Sequence, residues 1–205
     1  MYIYFQIVHN YIEKEDIFKE YSEEEKKNIK KQIENFIYVQ LYNKIYYKTT
    51  IKADNNLYST LVQLNWVEPY MLDESLKYLD EKMINLMETF ICNMRNEMSP
   101  INKLREFEKV HLIISNIISL YGFDKNIYIK ILLYVLIKVK PIDPFSNLRY
   151  IDIFLSDEMK EEKVNLLSIF KEVISRIIQF SSKDLVGFTE KQYEEKIKNV
   201  TKLNK

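Results

Sequence analysis

Apolar residues recur along this chain at the steps of one, three and four that mark a single face of an α-helix. Leu76, Leu79, Met83, Leu86, Met87, Phe90 and Ile91 form one such stripe, predicting a long amphipathic helix. Leu104, Phe107, Val110, Ile114, Ile117, Ile118 and Tyr121 form a second. Leu166, Leu167, Phe170, Val173, Ile174, Ile177 and Ile178 form a third. The period of two that a half-buried strand requires is scarce, so the pattern predicts an all-α fold. From Asp124 to about Val139 the pattern changes. Ile127, Ile129, Ile131, Leu132, Leu133, Val135, Leu136, Ile137 and Val139 cover nearly the whole circumference. A helix apolar all round belongs at the centre of a bundle, with the other helices packed about it.

Capping chemistry sets the expected limits. Ser99-Pro100 fits an N-cap followed by proline at the first helical position. Asp124, after Gly122, is an expected N-cap. Pro141 and Pro144 end the central helix and start the next. Thr189 and Gln192 have capping-box spacing. The mixed-sign stretch from Glu13 to Lys31 reads as a solvated helical face.

Composition narrows the function. The chain has 205 residues, 47% hydrophobic and 29% charged, enough for a true core in one domain or two small ones. Thirty Lys and Arg balance thirty Asp and Glu. A nucleic-acid partner, which would call for a basic excess, is not expected. The single cysteine, Cys92, forms neither an internal disulfide nor a Cys-based zinc site. With only His9 and His111 added, no metal is expected. The two glycines, Gly122 and Gly187, supply no phosphate-cradling loop, and no cofactor is expected. The longest apolar run, Ile131 to Ile137, is far short of the roughly 18 residues of a membrane span. The first residues lack a basic leader and a small-residue cleavage site and do not read as a signal peptide, and the lone cysteine fits a reducing, cytosolic compartment.

Most other notable side chains have plain readings. Trp66 reads as core and Cys92 as inert. His111 reads as a structural histidine, and Met83, Met87, Met94 and Met98 as packing. Tyr134 and Tyr150 are expected to pack, with hydroxyls bonded within the domain. Ser146 and Asn147 read as caps of the helix after Pro144. Lys130, inside the apolar helix, either reaches the surface or faces a groove, because a buried ammonium is expensive.

Two linked segments carry a resemblance: Ile131 to Pro141 (ILLYVLIKVKP) and Phe145 to Ile151 (FSNLRYI). They resemble the signature of the Vps-nine domain, the catalytic module of exchange factors for early-endosomal Rab GTPases. Ser99 to Leu104 (SPINKL) is similar to that family's Pro-x-x-Lys-Leu element. Gln63 to Leu72 and Ile33 to Tyr47 resemble the helical bundle that precedes the domain in Rabex-type exchangers. Leu185 to Ile197 resembles the helix after the core.

The resemblance implies an N-terminal helical bundle over residues 1–98 and a Vps-nine-like domain with its C-terminal helix over 99–205. It implies GDP release from an early-endosomal Rab GTPase, in endocytic vesicle trafficking. Recruitment to endosomal membranes would come through a partner, and the chain is expected to be cytoplasmic without a transmembrane segment. The implied groove lies between the central helix and the helix after the variable loop. Its implied contacts are Ile127, Lys130, Ile131, Tyr134, Ser146, Asn147, Ser168 and Ile169. An aspartate near the start of the central helix would reach the nucleotide site. There it would disfavour magnesium and pair with the phosphate-binding lysine left bare when GDP departs, which is otherwise costly. No covalent chemistry is implied, so catalysis would be preferential binding of the nucleotide-free state.

The chain departs from that pattern at both functional positions. The aspartate position is Asn126, the proline position is Lys130, and the family tyrosine falls on Asn165. The loop between Phe154 and Leu166 is short. Replacing the charge at a desolvated contact costs roughly 2–4 kcal/mol, about a hundredfold in rate. Asp124, two residues earlier, is the nearest carboxylate that could substitute. The alternative reading is a module that kept the fold and binds a Rab GTPase, or scaffolds partners, without exchange.

Overall fold

A computed structural model describes residues 2–46, 51–155 and 157–203. Among them every regular element is helical. The chain separates into two compact units, Met1–Lys48 and Thr49–Lys205.

The first unit is a helical hairpin of α1 (Tyr2–Lys14) and α2 (Glu23–Ile45), joined through a 3-10 turn at Asp16–Phe18. Ser22 and Glu25 close a capping box at the start of α2, satisfying two otherwise unpaired backbone donors. The ring of Phe5 packs on Tyr38 with centroids 5.3 Å apart. His9 Nε2 lies 2.9 Å from Glu34 Oε1, and Glu13 pairs with Lys30. Part of the mixed-charge stretch thus ties α1 to α2.

The second unit contains α3 (Ala53–Gln63), α4 (Pro69–Leu72), α5 (Glu81–Asn96) and α6 (Pro100–Tyr121). It continues with α7 (Ile127–Val139), α8 (Pro144–Phe154), α9 (Asp157–Ile178) and α10 (Glu190–Leu203). α7 is its axle. Every side chain from Ile131 to Ile137 is buried, and α3, α4, α5, α6 and α9 all pack against this helix. Each such aliphatic side chain contributes about 1.5–3 kcal/mol by leaving water, which explains why the sequence spends no polar residue there. The rings of Phe107 and Phe170 stack 4.3 Å apart and join α6 to α9.

The capping expectations hold at several helix ends. Ser99 Oγ accepts from the Asn102 amide at 3.2 Å, with Pro100 in the first turn. Gly122 closes α6 at φ 65°, a left-handed conformation that costs glycine little. Thr189 Oγ1 accepts from the Gln192 amide at 3.3 Å, while Gln192 Oε1 accepts from the Thr189 amide at 2.9 Å.

Three features differ from the expected pattern. The stripe from Leu76 to Ile91 is two elements, a 3-10 turn at Glu74–Tyr78 and then α5. Asp73 and Asp80 each accept from the amide two residues on, so two carboxylates start two helical segments. The central helix begins at Ile127, after a turn at Asp124. Finally, α8 ends at Phe154 and α9 begins at Asp157, so no extended loop separates them. The position read as a bundle–domain boundary, 98/99, lies within the second unit, where Glu97 and Ser99 flank the turn from α5 into α6.

Candidate functional site: the exposed end of α7 and the outer face of α9

Residues four apart share one face of a helix, so Asn126, Lys130 and Tyr134 describe one line along α7. Along that line α7 sinks into the unit. Asn126 is exposed, the Lys130 side chain is 43% exposed, and Tyr134 is buried. Only the first turn of that face is open to a partner.

The turn that leads in is built by Asp124. Its Oδ1 accepts from the Asn126 amide at 2.8 Å, and its carbonyl accepts from the Ile127 amide at 3.0 Å. Asp124 is thus not the N-cap expected of it: it makes an aspartate turn two residues ahead of Asn126, which takes the N-cap position. The side chains of Asp124, Lys125 and Asn126 are exposed together. Asn126 occupies the N-cap position with helical dihedrals and makes no side-chain cap.

Lys130 is held by Asp73, Nζ to Oδ2 at 2.7 Å. The hydrogen bond from Lys130 holds the Asp73 carboxyl down at about 2, helped by the Ser75 hydroxyl. The lysine therefore reaches the surface and carries its own counter-ion. Tyr128 meets His111 one helix away, hydroxyl to Nδ1 at 2.9 Å. That bond satisfies His111 as a structural histidine.

The remaining predicted contacts divide into two groups. Ile127, Ile131 and Tyr134 are buried in the core, and burial pushes the Tyr134 hydroxyl up. Ser146 and Asn147 are buried at the start of α8. Asp54, itself buried on α3, accepts from the Phe145 amide at 2.7 Å and the Ser146 amide at 3.2 Å. It also accepts from Ser146 Oγ at 2.5 Å. Asn147 Nδ2 donates to Asp143 Oδ1 at 3.1 Å. The start of α8 is thus capped by a carboxylate about ninety residues away in sequence, and Ser146 faces that carboxylate rather than solvent. On α9, Asn165 and Ser168 are exposed and Ile169 is half-buried. Asn165 sits in the third turn of α9, not at a helix start, because the helix runs unbroken from Asp157.

Lys103, in the Pro-x-x-Lys-Leu element, is fully buried. Its Nζ donates to the carbonyls of Met94 at 2.9 Å and Arg95 at 3.5 Å. These carbonyls end α5, where a cation complements the helix dipole. Burial pulls the Lys103 ammonium down to about 8. Tyr150 completes the corner, donating to the Met98 carbonyl at 2.9 Å. Trp66 packs on Phe188 and Tyr193, at 5.6 and 6.1 Å between centroids. Cys92 is exposed, with its thiol pushed up by partial burial and by Glu88.

Asp54 and Asp73 were the residues sequence reasoning missed. Asp54 sits among polar neighbours, Ala53-Asp54-Asn55-Asn56, with nothing local to mark it as a distant cap. Asp73 had one local signal, the Asp-x-Ser spacing of a short cap. Among the described residues no group of three His, Cys, Asp or Glu side chains could hold a metal ion. Among them, too, no helix is long and apolar enough to cross a membrane.

Residues 84–182 match the family model of the vacuolar sorting protein 9 (VPS9) domain. No curated protein matches the chain.

Proposed function

Because the chain carries a VPS9 domain over residues 84–182, and such domains are in general exchange-factor domains for Rab GTPases, we propose that it releases GDP from a Rab GTPase of the early-endosomal class. It would do so in endocytic traffic, as a cytoplasmic protein brought to endosomal membranes by a partner. The observation that carries the reading is the family match, together with an open first turn of α7. The GTPase would rest on Lys130 and on Asn165, Ser168 and Ile169 of α9. The buried Ile127, Ile131, Tyr134, Ser146 and Asn147 would set the shape of that surface from beneath.

We assign the acidic role to Asp124. The carboxylate is exposed in a turn rather than locked in a helix, and it stands two residues from the neutral Asn126. A carboxylate delivered there would stabilise a GTPase lysine stripped of phosphate. The free energy gained only in the nucleotide-free complex is what would accelerate release. One observation favours the second reading, a module that binds without exchange: Asp124 Oδ1 is already engaged by the Asn126 amide.

The test is release of fluorescent GDP from a panel of purified Rab GTPases, with the parent chain beside Asp124→Ala and Asn126→Asp. Acceleration lost in Asp124→Ala supports the assignment. Acceleration untouched by that change keeps the exchange reading and removes Asp124. Binding without acceleration, with gain in Asn126→Asp, establishes the binding module.

A further inference from the structure

α8 and α9 present matching stripes to each other. On α8 the stripe is Phe145, Leu148, Arg149 and Asp152, at the steps of three and four that line one helical face. On α9 it is Lys171, Ile174, Ser175 and Ile178 at the same steps. Between them, closed at one side by Ile51, lies an open cavity of about 380 Å³. That volume falls in the lower part of the range of ligand pockets, about 300–1,000 Å³. Each stripe spans eight residues, about 10 Å of helix from first to last, or two turns of an incoming one.

This groove adjoins the surface assigned to the GTPase. At about 100° per residue, Ser168 stands about 60° from Lys171 and about 20° from Ser175, whereas Asn165 is turned about a third of the way round α9 from Lys171. Its floor is apolar, through Leu148 and Ile174, and Ile178 is 53% exposed at its edge.

The rim is cationic. Lys171 pairs with Asp152 across the groove at 3.2 Å. Arg149 is exposed and makes no ion pair or hydrogen bond among the described residues. Two cations thus face one carboxylate. A guanidinium with five donors and no partner is suited to bidentate capture of a carboxylate.

We infer that the groove between α8 and α9 docks a short acidic amphipathic helix of a partner protein. Apolar side chains at i, i+4 and i+7 enter the cavity, and a glutamate or aspartate on the flank meets Arg149. This is helix-in-groove recognition. The net positive rim selects against basic helices, since an unmatched like charge at a rim costs affinity.

The experiment uses the full chain and a fluorescein-labelled, hydrocarbon-stapled peptide of about 14 residues. The peptide carries leucines at i, i+4 and i+7 and glutamates on both flanks. Its counterpart carries lysines in place of the glutamates. Anisotropy titration is expected to show saturable binding of the acidic peptide. The lysine peptide should bind about tenfold more weakly or less. Arg149→Glu and Ile178→Glu alter exposed side chains, so each keeps the parent's circular dichroism and weakens binding about tenfold or more. No saturable binding, equal binding of both peptides, or indifference to both variants overturns the proposal. Saturable binding of dodecanoate without the peptide would identify a lipid occupant and overturn it. So would a concentration-dependent dimer abolished by Ile178→Glu, which would identify a second copy of the chain. The titration contains no GTPase, so its failure leaves the exchange reading untouched.

Discussion

Asp54 on α3 and Ser146 on α8 are joined twice, through the serine hydroxyl at 2.5 Å and its amide at 3.2 Å. One buried carboxylate thereby accepts first-turn amides of a helix in a distant part of the chain, where the N-cap residue, Asp143, makes no side-chain cap. Asp54→Ala would leave two amides and a hydroxyl buried without acceptors. It is expected to cost about 2–4 kcal/mol, read as a lower urea midpoint. Asp54→Asn keeps an acceptor oxygen and should lose less. An equal loss in both would assign the effect to charge rather than capping.

Lys103 makes stability depend on alkaline pH in an unusual direction. Burial holds the folded ammonium at about 8, below its ordinary 10.5. Between those values the unfolded chain binds more protons, so this group makes stability rise with pH. Tyrosines act oppositely. Burial raises Tyr128 and Tyr193, so stability falls once the unfolded chain ionises them above about pH 10. Denaturation midpoints of the parent should therefore climb relative to Lys103→Met from about pH 8 to about pH 10. A constant difference would exclude a depressed lysine.

Asp73 governs the acid limb. Its folded carboxyl sits at about 2, below the ordinary 3.8. The stabilisation is complete above the unfolded value and is lost as pH falls from about 4 to about 2. Lys130→Met should flatten that part of the stability curve. At neutral pH it should change stability by no more than about 1 kcal/mol, because the pair is partly exposed. A large neutral-pH loss would show that Lys130 does more than pair.

The outer face of α9 offers a test of GTPase contact that leaves the core alone. Ser168 is exposed, so Ser168→Arg should fold like the parent. On the proposed reading it reduces GDP release, or pull-down of a nucleotide-free Rab GTPase, by about tenfold or more. Unchanged binding would move the GTPase off this face.

Much of the fold was legible because its signals are local. An apolar circumference from Ile127 to Val139 can only be buried, and Ser99-Pro100 and Thr189–Gln192 are caps within one helical turn. The Leu76–Ile91 stripe misled because apolar spacing alone does not register a capping carboxylate such as Asp80. The site was less legible. Ser146 looked like a local cap or contact, yet its partner is Asp54, and hydrogen bonds between distant segments leave no periodic trace. Tyr134 lies on the same line as exposed Asn126 but is buried, because the depth of a helix end depends on what packs over it. Asn165 fell at the end of what reads as a short loop between Phe154 and Leu166, whereas the run from Asp157 extends α9 two turns upstream.

The matched stretch, 84–182, is flanked by segments that meet each other. Trp66 precedes it and packs on Phe188 and Tyr193, which follow it, while the Val186 amide donates to the Met71 carbonyl at 2.7 Å. The two flanks act as a clasp. Trimming either one strips the aromatic cover from the other, so a deletion at residue 84 or at residue 182 leaves the same kind of wound, a bare patch of rings prone to self-association. The shortest piece of this chain that stays soluble should therefore keep both arms of the clasp.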